Sequence, residues 1–98
     1  MQLNLIKTKE ITDFENEIGH QLVVNERRNP TRGLEPYYVH FNGCEVRERE
    51  GFLSGISGDG KTIDKALVDY AKRISCKKLV FGAYTGSRQE IIAPKLIH

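Results

Sequence analysis

The chain's 98 residues suffice for one domain and leave no material for a second core. A composition 39% hydrophobic and 29% charged excludes a disordered tail, and no run of 18 apolar residues exists to cross a membrane as a helix. A net charge of +2, mixed along the chain, is too small to single out nucleic acid as a partner.

The opening MQLNLIKTKE is interrupted by Gln2, Asn4 and Lys7 and does not read as a secretory leader, so the chain is expected to stay in the cytoplasm. Cys44 and Cys76 form no CxxC clamp or disulfide framework and read as small hydrophobes of a reducing compartment.

A short helix is predicted from Lys9 to Ile18, because Ile11, Phe14 and Ile18 share one helical face. Thr8 is placed to cap it, Gly19 to stop it, and Glu10, Asp13 and Glu17 form an acidic outer side. A strand centred on Leu22, Val23 and Val24 follows. RRNPTRGLEP then reads as a loop, punctuated by Pro30, Gly33 and Pro36.

In YYVHF, Tyr37, Val39 and Phe41 share a face, whereas Cys44 and Val46 continue on the opposite parity. Asn42-Gly43 sits at the phase change, and a bulge in one long strand fits the spacing better than a hairpin. Gly51 turns the chain into a shorter strand, FLSGIS.

The clearest element is a helix bearing Ile63, Ala66, Leu67, Tyr70, Ala71 and Ile74 as an apolar stripe, with Thr62 as its N-cap. LVFGAY is a further strand, TGSR a turn, and EIIAP an edge strand ended by Pro94. The expected fold is α+β: an antiparallel sheet of three to five strands with two helices on one face, in the order α-β-β-β-α-β(-β).

Gly55 to Thr62, GISGDGKT, fits the phosphate-loop pattern GxxxxGK(S/T) letter for letter, between a strand and a helix. Nucleoside triphosphatases of that type need several parallel βαβ units, and too little chain follows Thr62 to build them. The strand after the helix also lacks a terminal Asp to hold magnesium. The expectation is that these glycines serve a sharp turn into a capped helix, with no catalytic residue and no cofactor.

No metal site is expected, because His40 and Cys44 have no further ligand near them. Glu15 and Glu17, two apart on a helix, diverge. Arg27, Arg28 and Arg32 form a basic loop cluster with no evident structural reason. Lys72, Arg73, Lys77 and Lys78 form another, which complements a helix C-terminus.

Gly58, Gly60, Thr62 and Ala66 resemble the GxGxS/T turn and following alanine of double-stranded-RNA-binding domains, whose strand order the HicB-type antitoxins share. Ile63, Asp64 and Leu67 stand where that family carries lysines, so what this resemblance implies is the fold.

From Tyr37 to Leu96 the chain is similar to small uncharacterised proteins of phages of Gram-positive bacteria. The similarity runs through Gly58, Gly60, Thr62, Ala66, Tyr70, Ala71, Lys78, Leu79, Val80, Arg88, Glu90, Ile91 and Pro94. It implies a non-enzymatic accessory protein of the bacterial host's cytoplasm that binds a host protein or nucleoprotein, CRISPR nucleases and other defences included. The alternative is a nucleic-acid-binding module using the loop arginines. The candidate partner-binding residues are Arg27, Arg28, Arg32, Lys77, Lys78 and Arg88.

Overall fold

A computed structural model describes residues 8–29, 33–49 and 51–98. The elements run β1 (Thr8–Glu10), α1 (Ile11–Ile18), β2 (Leu22–Glu26), β3 (Tyr37–Phe41), β4 (Cys44–Arg49), β5 (Phe52–Ser54), β6 (Gly58–Gly60), α2 (Ile63–Ile74), β7 (Lys78–Phe81), β8 (Gln89–Ile92) and β9 (Lys95–Ile97). The class is α+β with antiparallel sheets. The strands divide into a sheet β2-β3-β6, a sheet β5-β4-β7-β8, and a parallel pair β1-β9.

The two antiparallel sheets are halves of one bent hairpin. Tyr37, Tyr38 and Val39 of β3 pair with Gly60, Asp59 and Gly58, while Val46 of β4 pairs with Ser54. One arm therefore uses more residues than the other to cross the same span, and the ladder breaks between these pairings. Asn42-Gly43 is neither a bulge within one strand nor a hairpin. It is a corner, with Gly43 at φ 65°, where the chain leaves one sheet for the other.

The parity change read from the sequence is real. Val39 and Phe41 before the corner, and Val46 after it, are all buried. Both helices meet this inner side. The Phe14 ring of α1 lies edge-on to Phe41 at 5.9 Å, and Tyr70 of α2 sits 5.9 Å from the same ring and accepts a hydrogen bond from Phe41 N–H at 3.0 Å. Burial keeps the Tyr70 phenol un-ionised well beyond its ordinary range, outweighing that hydrogen bond, which by itself favours the ionised form.

On α2 the stripe is buried at Ala66, Leu67, Tyr70, Ala71 and Ile74, but Ile63 is exposed because it lies in the first turn, beyond the sheet. The first helix begins at Ile11, not Lys9, and its cap is Glu10, not Thr8. Pairing of Thr8, Lys9 and Glu10 with Lys95, Leu96 and Ile97 holds those residues extended, and the Glu10 carboxylate accepts from Thr12 N–H at 2.7 Å. Gly19 closes the helix as expected, at φ 71°. Pro94 does end the strand before it, and β9, unforeseen from sequence, follows. Ser75 Oγ ties β9 to α2 by donating to Ala71 O and accepting from Leu96 N–H. No helix among the described residues is long and apolar enough to cross a membrane.

His98 closes this corner of the molecule. Its Nδ1 lies 2.5 Å from Glu10 Oε1 and its Nε2 3.2 Å from Asp64 Oδ1, so one imidazolium bridges the starts of both helices. The bonds to Glu10 and Asp64 raise the His98 pKa above its ordinary 6.5. Partial burial opposes ionisation of Glu10, but hydrogen bonds from Thr12 and His98 together outweigh it and hold the carboxyl at about 2.

The sign follows from linkage. The histidine's contribution is complete below pH 6.5 and is lost as pH rises through its raised value. The carboxylate's is complete above pH 4.5 and is lost as pH falls toward 2. The stability gap between the natural chain and His98→Ala, measured from denaturant midpoints, is therefore expected to be widest between pH 4.5 and 6.5 and to narrow on both sides. A gap that does not vary with pH would mean that the bridge does not form in solution.

Candidate functional site

The phosphate-loop lookalike is structural backbone. Gly58-Asp59-Gly60 is not a turn but strand β6, laid antiparallel on β3, and both glycines are buried against α2. The expectation of a sharp turn is corrected accordingly, since what these positions require is the absence of a side chain. A Cβ on Gly58 would sit 2.4 Å from Ala66 O and from Tyr70 N, and one on Gly60 2.4 Å from Ala66 N. The Asp59 N–H, which a phosphate loop would present to its ligand, is bound to Asp69 Oδ2 at 2.9 Å.

Thr62 caps α2, accepting from Lys65 N–H at 3.1 Å, and Lys61 is exposed. Thr62→Ala is expected to cost about 1 kcal/mol through the lost cap. Lys61→Ala should stay within about 0.5 kcal/mol of the natural chain. Thermal melts of the two variants side by side check both values. Magnesium-dependent nucleotide binding abolished by Lys61→Ala would contradict this reading.

Of the loop arginines, Arg27 has a structural role that the sequence did not reveal. Its guanidinium donates to Glu35 O at 2.6 Å, lies 3.3 Å from Asp59 Oδ1, and stacks 4.3 Å over the Tyr38 ring. Arg28 is exposed and engages none of these groups, and Arg32 lies outside the described residues. At the end of α2, Arg73 pairs with Asp69, whereas Lys77 is exposed.

Lys78 and Arg88 belong together, and the group they join is centred on Glu90. Its carboxylate lies 2.9 Å from Arg88, 3.4 Å from Lys78 and 3.7 Å from Arg47. Three cations surround one anion. The Arg88 hydrogen bond, aided by Lys78 and Arg47, holds the Glu90 carboxyl below the usual carboxylate range.

Strand register explains the grouping. Glu45, Val80 and Glu90 are direct cross-strand partners, as are Lys78 and Ile92, so all these side chains stand on the outer face of the four-stranded sheet. Val46, Leu79 and Ile91 face the core from the other side. Val80 is wholly buried beneath the long charged side chains around it, and Arg47 Nε is buried there without a partner among the described residues. Ile92 is 72% exposed on β8, whose far edge pairs with no described strand. Lys78 and Arg88 were legible as charges near the chain's end. Arg47, hidden in the run CEVRER, was not, because only β-sheet register brings it across to Glu90.

A second feature lies at the ladder break. There the outer faces of β3 and β4 and the loop after β7 enclose a cleft of about 520 Å³. Tyr38 and His40 stand side by side on β3, with rings 21° from parallel. His40 Nδ1 lies 3.0 Å from Phe41 O, which can only accept, so that nitrogen carries the proton, and Asn25 Nδ2 approaches Nε2 at 3.4 Å. Tyr84 and Glu45 contribute to the wall, together with Gly55, Ile56 and Ser57. Cys44 also borders it, with its side chain packed against the core, where burial pushes the thiol pKa up to about 11 and keeps it neutral. No three metal-ligating side chains come together among the described residues.

No known protein family, curated protein or solved structure matches the chain.

Proposed function

We propose that the chain is a non-enzymatic accessory binding protein of the kind carried by phages of Gram-positive bacteria. It acts by occupying a surface on a host protein or nucleoprotein, with CRISPR nucleases and other defence factors as the target class. One observation supports a contact surface most directly. The outer face of the four-stranded sheet carries Arg47, Lys78 and Arg88 around a single carboxylate, and it ends in a free edge with Ile92 exposed. Net positive charge beside an apolar anchor suits the acidic rim and apolar centre of a protein partner. An open edge strand can also add backbone hydrogen bonds to such a contact.

The test is capture of a bacterial protein by the immobilised chain in lysate treated with nuclease, combined with a plasmid-interference assay against a CRISPR nuclease. Capture should survive the nuclease treatment, and both readouts should fail for the double variant Lys78→Glu, Arg88→Glu. If bare nucleic acid is the partner instead, Arg27, Arg28 and Arg32 are the residues to examine. Three phosphate contacts would then make affinity fall as roughly the 2.7th power of salt on B-form DNA. Submicromolar binding to free DNA or RNA at physiological salt, lost on replacing the three arginines, would favour that alternative.

A further inference from the structure

We infer that the cleft at the ladder break is a binding site for a neutral, planar nitrogen heterocycle of nucleobase or nucleoside size. The inference is independent of the outer-face contact proposed above. It stands on three properties of the cleft: its size and aromatic walls, its unpaired backbone, and its charge.

The volume of about 520 Å³ falls within the range of small-molecule sites. His40 offers a ring from the strand, beside Tyr38, one face of whose ring is covered by the Arg27 guanidinium. Tyr84, on the loop after β7, is 86% exposed and also lines the cleft. An exposed tyrosine facing a cleft lined by two other rings is suited to stack on a flat guest, and stacking is tolerant of which base is bound.

The backbone supplies the edge recognition. Gly55, Ile56 and Ser57 lie between β5 and β6, where the ladder is interrupted, and no hydrogen bond links their backbone to another described residue. Three consecutive residues thus present free N–H and C=O groups along a cleft wall, with Gly55 adding no side chain to obstruct them. Free donors and acceptors on this segment can pair with the donors and acceptors on the edge of a nucleobase. Half-buried groups of this kind gain by being paired.

Charge then narrows the class. Among the described residues no Lys or Arg lines the cleft, and the only carboxylate in its wall is Glu45. The Arg27 guanidinium over the Tyr38 ring is already held by Glu35 O and Asp59, so a phosphate would meet no free cation there and one anion, whereas ring or exocyclic N–H groups would find an acceptor. The bound group is therefore the base, either of a free nucleoside or of an unpaired residue in a nucleic acid strand.

The experiment titrates the 98-residue protein separately with adenosine, guanosine, cytidine and uridine, with their 5′-monophosphates, and with a short mixed-sequence single-stranded oligonucleotide, followed by NMR. At least one nucleoside should bind saturably and shift the Tyr84 ring resonances, and its monophosphate should bind no more tightly. Tyr84→Ala should weaken binding by about tenfold or more, and Tyr84→Phe, which keeps the ring, should restore it. Because Tyr84 is exposed, both variants should melt with the natural chain. An oligonucleotide that binds more tightly than the nucleoside, with the same dependence on the Tyr84 ring, assigns the source to a strand. One that binds no better assigns it to the free nucleoside. Absence of saturable binding by every probe, binding indifferent to Tyr84→Ala, or a monophosphate preferred by tenfold or more would each overturn the inference.

Discussion

Replacing Gly58 by alanine is expected to destabilise the fold strongly for a one-carbon change. The added Cβ would lie 2.4 Å from Ala66 O, Tyr70 N and Tyr70 Cβ, closer than real Cβ atoms come to anything. Two of the three obstacles are helix backbone, so no rotamer change relieves the clash. Strand β6 must draw away from α2, and its pairing with β3 holds it on the other side.

Overpacking a filled core costs about 1–3 kcal/mol where side chains can yield, and sometimes more. With backbone on both sides, at least about 3 kcal/mol is expected here, out of roughly 5–15 kcal/mol for a domain of this size. Denaturant midpoints compared with Gly55→Ala make the measurement specific. A Cβ at Gly55 meets nothing within 4 Å, so the control should stay near the natural chain. If Gly58→Ala melts with the natural chain, the close strand–helix contact is wrong.

That same segment shows where sequence reasoning reached its limit. GDG has no apolar alternation, so nothing in its pattern announces a strand, and glycines ordinarily weaken one. Its placement follows from the partner, because a helix with alanine at position 66 packs only where the facing strand has no side chains. The stripe on α2, the Thr62 cap and the Gly19 stop were all legible, being set within a few residues of one another.

The parity switch at Asn42-Gly43 was legible too, but what it does was not. A phase change looks the same whether the chain bulges or turns a corner into another sheet, and the difference lies in the partner strands. The pairing of β1 with β9 joins three residues near each end of the chain, too short and too distant to leave a periodic signal.

The candidate sites divide along the same line. Lys78 and Arg88 could be named from charge alone, whereas the Arg47–Glu90 contact depends on β4, β7 and β8 lying in register. Arg27 looked free because its partners, Asp59 and Tyr38, stand on other strands. The cleft is invisible in the sequence because it arises from a difference in length between two arms of one hairpin. Features set by neighbours in sequence were readable, and those set by register were not.

Phe41→Ala is expected to cost about 3–5 kcal/mol, as truncation of a fully buried phenylalanine does when the site cannot collapse. Phe41 is 0% exposed and stands where both helices and both antiparallel sheets meet. Its ring lies 5.9 Å from Phe14 of α1, 5.9 Å from Tyr70 of α2 and 5.8 Å from Phe81 of β7. Its own backbone N–H is bound to the Tyr70 hydroxyl. Both sheets and both helices therefore share one core through this residue, and the variant should lower the midpoint of a single transition for the whole domain. Phe52, 62% exposed on β5, provides the contrast: Phe52→Ala should cost no more than about 0.5 kcal/mol. Circular dichroism and tyrosine fluorescence should report coincident melts for Phe41→Ala, shifted well below the natural chain. If the signals separate, with one sheet surviving the other, the three- and four-stranded sheets have independent cores and the bent-hairpin architecture fails.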